Sequence, residues 1–318
     1  MKQIGLFIIP IRFKKNIKTY NDYINYLAIL ENFGYSHLFI GEHLTDQRED
    51  IKSSMIFSSA VLAKTKKINL CLSVLPLPHY QIPLLIKQLE DLYLLSEGRL
   101  MIGLGPGALK SDAEYLGIKH EERGAIFPNK LEEFLIELEN SSILSEIPKD
   151  NLFSTLLSPF PEKANLLIKK GFSLISSNFT HTSHLKEHSK CIWRNIDRAY
   201  SNSRWHRALN VLPINKYKFN PETLDIYKKT YNYIFNKLGK DYGKKIMLGN
   251  KVTVENEDIL VNNLFNELTL LYDSSIISAL KGENYGANGF PIINLFDCID
   301  DPAYDKMIKE LPQRYLIG

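Results

Sequence analysis

The chain has 318 residues, of which 44% are hydrophobic and 24% are charged, and its 39 basic and 36 acidic residues leave a formal net charge of +3. This composition is that of a globular protein and excludes a disordered chain, while the dispersed lysines form no basic stripe of the kind that binds nucleic acid. No apolar run approaches the roughly 18 residues that a membrane span needs. We therefore expect neither nucleic acid nor a membrane as a partner.

Three cysteines, Cys71, Cys191 and Cys298, are far apart and lack metal-ligand spacing. They are typical of reduced thiols in a cytoplasmic protein, so we expect small buried hydrophobes and no metal site. The amino terminus carries an apolar run of about eight residues that is closed by Pro10 and Arg12 and has no small-residue cleavage site. We interpret this run as a buried strand.

Apolar runs and one-faced helical patterns alternate through the first 140 residues. The continuous apolar runs, typical of parallel strands covered on both faces, predict strands at Ile4–Ile9, His37–Ile40, Ile68–Leu75 and Leu100–Leu104. The helical patterns predict helices at Tyr20–Phe33, Ser53–Lys64, Pro83–Ser96 and Glu121–Asn140, the last with Pro128 near its start. Four β–α units of this kind predict a barrel or a doubly wound sheet.

The second half has weaker periodicity. It predicts strands at Leu152–Leu157, Phe172–Ser176, Arg207–Leu212 and Phe290–Phe296. It also predicts helices at Glu162–Lys170, Pro221–Leu238 and Asp301–Leu311, and a mostly helical segment at Glu257–Leu280. A total of eight strands favours a closed (β/α)8 barrel, and because no linker is visible we expect residues 1–318 to form one domain with a divergent second half after about residue 140.

Candidate functional residues follow the predicted strands, because parallel barrels place their chemistry at the carboxyl ends of the strands. His43 follows the second strand, where a neutral imidazole could donate to a developing anion or move a proton, or equally make a structural hydrogen bond. Glu42 alternates to the opposite face, so we expect it to anchor a helix. His79 and Arg12, after the third and first strands, are weaker candidates.

A glycine-rich loop, Gly103-Leu-Gly-Pro-Gly107, follows the fourth strand. It is not a dinucleotide fingerprint, because its third glycine falls two residues after the second instead of three. Its backbone could approach a flat ring or a phosphate, or it could form a tight turn that binds nothing. We interpret Glu121-Glu122-Arg123 as a helix cap with ion pairs. Because nucleophile-elbow, zinc-protease and Walker motifs are missing, the sequence does not support a hydrolase, zinc enzyme or kinase.

Several segments in this order resemble the bacterial luciferase-like flavin oxidoreductase family. They are Phe39-Ile-Gly-Glu-His43, Val74-Leu-Pro-Leu-Pro78, the run from Pro83 to Gly107, and Tyr115 to Gly124. The resemblance covers about residues 4–138. It implies a (β/α)8 barrel that holds reduced FMN, or the related deazaflavin coenzyme, at the carboxyl ends of the strands. It also implies a homodimer and a partner flavin reductase that supplies reduced FMN.

The resemblance assigns roles to individual residues. His43 falls on the active-site histidine of the family and would be a proton donor or hydrogen-bonding partner for the oxygen adduct of the flavin. Ser73 and Val74 fall on the bulge that supports the isoalloxazine ring. Gly105 and Gly107 would let the backbone lie close to the ring or to its tail.

Three functions stay open. The first is an FMN-dependent monooxygenase that oxidises a small organic substrate with dioxygen, and the second is a deazaflavin-dependent oxidoreductase that transfers hydride. The third is a degenerate, non-catalytic flavin-binding protein or the helper subunit of a heterodimer. It is motivated by the expected phosphate-binding turn, Ser158-Pro-Phe-Pro161, in which only Ser158 offers a hydroxyl and the prolines lack N–H donors.

Overall fold

The computed structural model describes residues 2–9, 17, 19–46, 51–156, 166–176, 189–190, 203–213, 269–272, 276, 278, 280, 289–296 and 302–317. The strands are Gly5–Ile9 (β1), His37–Ile40 (β2), Asn69–Pro76 (β3), Leu100–Gly105 (β4), Leu152–Leu156 (β5), Ser173–Ser176 (β6), Trp205–Pro213 (β7), Thr269–Tyr272 (β8) and Pro291–Phe296 (β9). The α-helices are Tyr20–Ile29 (α1), Ser54–Lys64 (α2), Ile82–Ser96 (α3), Lys110–Tyr115 (α4), Arg123–Asn140 (α5) and Pro302–Ile317 (α6). Short 3₁₀ turns lie at Leu30–Phe33, Leu77–His79, Leu144–Glu146 and Lys149–Asn151.

Eight of the described strands close into a parallel ring. β1 to β7 pair with their neighbours in chain order, and β9 then joins β7 to β1. The prediction of a closed (β/α)8 barrel is therefore confirmed, and each of the eight predicted strands corresponds to a strand of the ring. The ring forms because the strands are mostly apolar, so that one face packs on the helices and the other turns into the lumen.

The structure corrects the prediction for Glu257–Leu280, which is not helical throughout. Thr269–Tyr272 is a strand that pairs in parallel with Asn210–Pro213 of β7. Only three of these four residues are apolar or aromatic, and so short a run fits a helix face as well as a strand, so periodicity could not separate the two. The predicted helix Pro221–Leu238 lies outside the described residues.

Helix α5 begins at Arg123, so Pro128 lies inside it and not near its start as predicted. Proline has no N–H to donate to the carbonyl four residues earlier, and its ring crowds that carbonyl. The carbonyl at that position belongs to Gly124, and the turn before it is formed by the Ile126 N–H, which donates to the Glu122 carbonyl at 3.0 Å. The helix therefore extends further toward the amino terminus than the proline suggested.

The barrel lumen is filled by side chains that alternate inward along the strands. These are Phe39, Cys71, Met101, Phe153, Ile175, Ala208, Phe290 and Ile292. Cys71 is fully buried, as predicted, and burial raises the pKa of its thiol. Gly103 has no room for a side chain, since a Cβ would lie 2.5 Å from the Leu72 carbonyl oxygen. A larger cluster fills the layer between the strands and the helices.

The amino-terminal end of the barrel is closed by a stack of three rings. The rings of His37 and His206 each lie 4.3 Å from the Phe290 ring. The Phe290 N–H donates to His206 Nδ1 at 3.2 Å. Burial is the main cause that lowers the pKa of both histidines to about 3, so both rings are neutral. This stack leaves the carboxyl end as the face on which to search for a site.

Among the described helices, none has both the length and the apolar character that a bilayer crossing requires.

Candidate active site

His43 lies in the irregular chain that follows β2, and its position is fixed by an aspartate from a later unit. His43 Nδ1 lies 3.1 Å from Asp112 Oδ2, on helix α4. The second oxygen, Asp112 Oδ1, accepts the Thr45 backbone N–H at 2.8 Å and the Thr45 hydroxyl at 2.6 Å. The carboxylate therefore ties the loop after β2 to the helix after β4.

The charge on Asp112 determines which nitrogen of His43 carries the proton. Burial alone would raise the pKa of Asp112, but the hydrogen bonds from His43 and Thr45 outweigh burial and lower it well below its usual range. An ionised carboxylate accepts hydrogen bonds only, so His43 Nδ1 is the donor. In the neutral ring the lone pair is then on Nε2, which can accept a proton, and the side chain is 29% exposed.

Ser73 and Val74 form an irregular step in β3 beside this pair. Their peptide bond is cis, and the pairing of β3 with β4 shifts register between Leu72 and Leu75. The backbone oxygen of Ser73 faces Gly41, where a Cβ would lie 3.2 Å from it. Ser73 is buried, and within the described part of the chain its hydroxyl has no hydrogen-bond partner.

The two loop glycines make room for side chains of the site. A Cβ on Gly105 would lie 2.6 Å from Val74 Cγ2, so the missing side chain lets Val74 pack directly on β4. Gly107 has a φ of 82°, and a Cβ there would lie 3.3 Å from His79 Nε2. Their contact with a coenzyme stays a prediction.

His79 is brought into the site by the 3₁₀ turn after β3. Its Nε2 is buried and has no hydrogen-bond partner among the residues that the structure describes. Burial is the main cause that lowers the pKa of His79. Asp112 raises this pKa by a smaller amount, and His43 lowers it further. The imidazole is therefore neutral near pH 7 and close enough to His43 and Asp112 to sense their charge.

Arg123 has a different role from the predicted cap. Its Nε donates to the Gly107 carbonyl at 2.8 Å, and its Nη1 donates to the His120 carbonyl. The ion pair expected at this helix start is instead made by Glu122, whose carboxylate lies 3.0 Å from Lys119 Nζ. Arg123 thus joins the start of α5 to the glycine loop.

Glu42 anchors helix α2, as predicted. Its Oε2 accepts the Ser54 backbone N–H at 2.9 Å and the Ser54 hydroxyl at 2.8 Å. Its Oε1 accepts the Tyr80 hydroxyl. Glu42 is buried, so these donors and the start of the helix take the place of water around its carboxylate.

The described site therefore combines most of the predicted residues at the carboxyl ends of β2, β3 and β4. The residues brought together are His43, Ser73, Val74, His79, Gly105 and Gly107. Ser158 and Arg12 lie outside the described residues. Sequence reasoning missed Asp112, because no local pattern marks a carboxylate that pairs across 69 positions. Its place five residues after the glycine loop, on a short polar helix, was the available signal.

These residues fit a flat ring with polar edges. Ser73 Oγ and His79 Nε2 are buried polar atoms that lack partners in the described chain, and the half-buried Val74 gives an apolar surface beside them. Such a combination of an apolar face with a few convergent polar groups is typical of coenzyme pockets. No group of three His, Cys, Asp or Glu side chains within the described ranges could hold a metal ion.

Comparison with known proteins finds matches in the amino-terminal part of the chain. Residues 6–135 match the family model described as luciferase-like monooxygenase. A segment of 89 residues is 37% identical to limonene 1,2-monooxygenase of Rhodococcus erythropolis, covering 28% of this chain and 23% of that protein. The match thus spans about a quarter of that relative.

Solved structures resemble the whole fold. The oxygenating constituent of 3,6-diketocamphane monooxygenase of Pseudomonas putida, solved in complex with FMN, superimposes with a TM-score of 0.65 and 16% identity, covering 98% of this chain and 97% of that one. An F420-dependent secondary alcohol dehydrogenase, solved with an F420–acetone adduct, gives a TM-score of 0.70 and 16% identity, covering 98% of each chain. At these identities the likeness concerns the fold.

Proposed function

Because residues 6–135 of this chain belong to the luciferase-like monooxygenase family, we propose that it binds reduced FMN at the carboxyl end of the barrel and oxidises a small organic substrate with dioxygen. The observation that carries this proposal is the His43–Asp112 pair beside the Ser73–Val74 step. Reduced FMN would supply the electrons that dioxygen chemistry requires, and the chain would supply the binding surface and the proton handling.

Each described residue has a role in this proposal. Val74 and the backbone of Ser73 would support one face of the flavin ring. The Ser73 hydroxyl and His79 Nε2 would bond to its polar edge and so gain the partners that they lack in the described chain. His43 would accept or return a proton through Nε2 while Asp112 holds Nδ1.

A second function has support of its own. An F420-dependent dehydrogenase shares the fold over nearly the whole chain, and a deazaflavin coenzyme would use the same barrel mouth to transfer hydride without dioxygen. The 37% identity of an 89-residue segment to limonene 1,2-monooxygenase, a protein named as a monooxygenase, favours FMN. A reductase that supplies reduced FMN and a homodimeric assembly are parts of the FMN proposal.

A coenzyme titration tests the proposal. In anaerobic calorimetry we expect reduced FMN to bind the wild-type protein stoichiometrically and reduced F420 to bind weakly; the reverse order would favour the deazaflavin function. We then expect His43→Ala to bind FMN normally but to turn over reduced FMN, dioxygen and candidate substrates at least about 100-fold more slowly. Failure to bind either coenzyme at tens of micromolar would contradict both coenzyme functions and support the alternative of a helper subunit of a heterodimer.

A further inference from the structure

Glu42 connects two segments that each carry a histidine of the candidate site. It directly precedes His43, and its carboxylate accepts the hydroxyl of Tyr80, which directly follows His79. His43 lies in chain without regular secondary structure and His79 ends a three-residue 3₁₀ turn. Since strand hydrogen bonds do not extend to either histidine, side-chain bonds must fix their relative placement.

The two bonds of the Glu42 carboxylate are separable. One oxygen, Oε2, is satisfied by Ser54 at the start of α2, and the other, Oε1, by Tyr80. Loss of the tyrosine hydroxyl therefore leaves the helix anchor in place. Burial, followed by the negative charge of Glu42, raises the pKa of Tyr80, so the hydroxyl remains a donor at any pH at which the protein is folded.

We propose that Tyr80, acting through Glu42, is a positioning residue that fixes the His43 segment relative to the His79 segment. Its importance for turnover rests on the proposed flavin function, whereas its effect on the two imidazoles does not. Tyr80 packs against the cluster between the strands and the helices, and Glu42 also bonds to Ser54 at the start of α2, so we place the bond on the helix side of the barrel wall. A change of about 1 Å in the placement of a reacting group is enough to lower a rate by about 100-fold.

The chain offers a matched control for the hydroxyl deletion. Tyr35 also donates its hydroxyl to a buried acceptor, the Ile308 carbonyl, at 2.9 Å, but it lies before β2 at the opposite end of the barrel. Tyr80→Phe and Tyr35→Phe each remove one buried hydroxyl from a tyrosine. A purely structural role would make the two variants alike in both stability and site properties.

The first test needs no coenzyme. In protein labelled with ¹⁵N-histidine, with His43→Ala and His79→Ala used to assign the signals, we expect Tyr80→Phe to shift the ring resonances of both His43 and His79. Tyr35→Phe should leave both unchanged. Unshifted His43 and His79 signals in folded Tyr80→Phe would overturn the proposal whether or not the protein binds flavin.

The second test measures reoxidation of reduced FMN by dioxygen in the presence of the protein. We expect Tyr80→Phe to change the rate by about 10- to 100-fold with less than a threefold change in the dissociation constant of FMN. In a His43→Ala background the same substitution should change the rate less than twofold, because the group that it positions is absent. Equal effects in the two backgrounds would contradict a role through His43. If wild type does not bind FMN, the flavin function fails, and the histidine spectra still decide the role of Tyr80.

Discussion

His43 Nδ1 and Asp112 Oδ2 lie 3.1 Å apart, although the residues are 69 positions apart in the chain. The same carboxylate also accepts the Thr45 N–H, so it orients the ring and the loop that carries it. The pair thus combines an ionised acceptor with a partly exposed imidazole. It lies at the barrel end where parallel (β/α)8 proteins have their active sites.

The neutral substitution Asp112→Asn tests what the charge does. An amide can present its NH₂ group to His43 Nδ1 and so favour the wrong tautomer, with the proton on Nε2. We expect flavin turnover to fall by about 10²- to 10⁴-fold, the range that a positioned acid or base contributes, at nearly unchanged flavin affinity. Asp91→Asn, on the exposed face of α3, is the control. Equal turnover in the two variants would remove Asp112 from the mechanism.

Substitution of Gly107 and of Gly117 by alanine distinguishes the effect of backbone strain from the effect of crowding at the site. Both have positive φ, 82° and 71°, but a Cβ at Gly107 would lie 3.3 Å from His79 Nε2, while nothing lies within 4 Å at Gly117. We expect either change to alanine to cost about 1 kcal/mol of folding free energy. Only Gly107→Ala should also weaken FMN binding and shift the His79 resonances. Normal FMN binding by folded Gly107→Ala would contradict this prediction, because it would mean that His79 can move away from the added methyl group.

The ring stack at the closed end predicts acid sensitivity. His37 and His206 have pKa values of about 3 in the folded protein, against about 6.5 when unfolded. Below pH 6.5 the unfolded chain binds protons that the folded chain does not. The two histidines therefore make their full contribution to the free energy of unfolding above pH 6.5, and this contribution falls as the pH drops toward 3. Each histidine contributes a slope of up to about 1.4 kcal/mol per pH unit.

Urea unfolding at pH 7.5 and pH 5.0 measures this slope above the range in which most carboxylates titrate. We expect a lower urea midpoint at pH 5.0, and a smaller difference between the two pH values in His37→Gln. Equal midpoints for the wild-type protein at the two pH values would mean that the stack accommodates protonated rings.

We expect substitution by alanine to have different effects on the stability of the protein at Gly103 and at Gly124. A Cβ on Gly103 would lie 2.5 Å from the Leu72 carbonyl oxygen and 2.6 Å from the Phe153 ring, whereas the space around Gly124 in α5 is open. Gly103→Ala should therefore destabilise the barrel by about 1 to 3 kcal/mol. Gly124→Ala should be neutral or stabilise it by up to about 1 kcal/mol. Thermal unfolding of the two variants compares them directly, and a stable Gly103→Ala protein would contradict the tight strand contact.

The barrel could be predicted from the sequence because its strands are apolar runs with local signatures. Strand β8 was mistaken for helix because its four residues carry too short a pattern, and tertiary pairing with β7 decides their conformation. His43 could be selected from its place at a strand end. Asp112 could not, since its role depends on a contact formed only when the second and fourth units are adjacent in the ring. The roles of Ser73, Val74, Gly105 and Gly107 toward a coenzyme stay predictions.

Every residue that the structure places at the candidate site lies between Gly41 and Arg123, within the segment that matches the family. The described part of the site therefore occupies one uninterrupted stretch, about a quarter of the 318 residues. Joining residues 1–140 to the second half of a related barrel would transfer the His43–Asp112 pair, the Glu42–Tyr80 bond and the glycine loop intact. Substrate preference could then be explored by exchanging the carboxyl-terminal half alone, with the proton-handling residues as a fixed module.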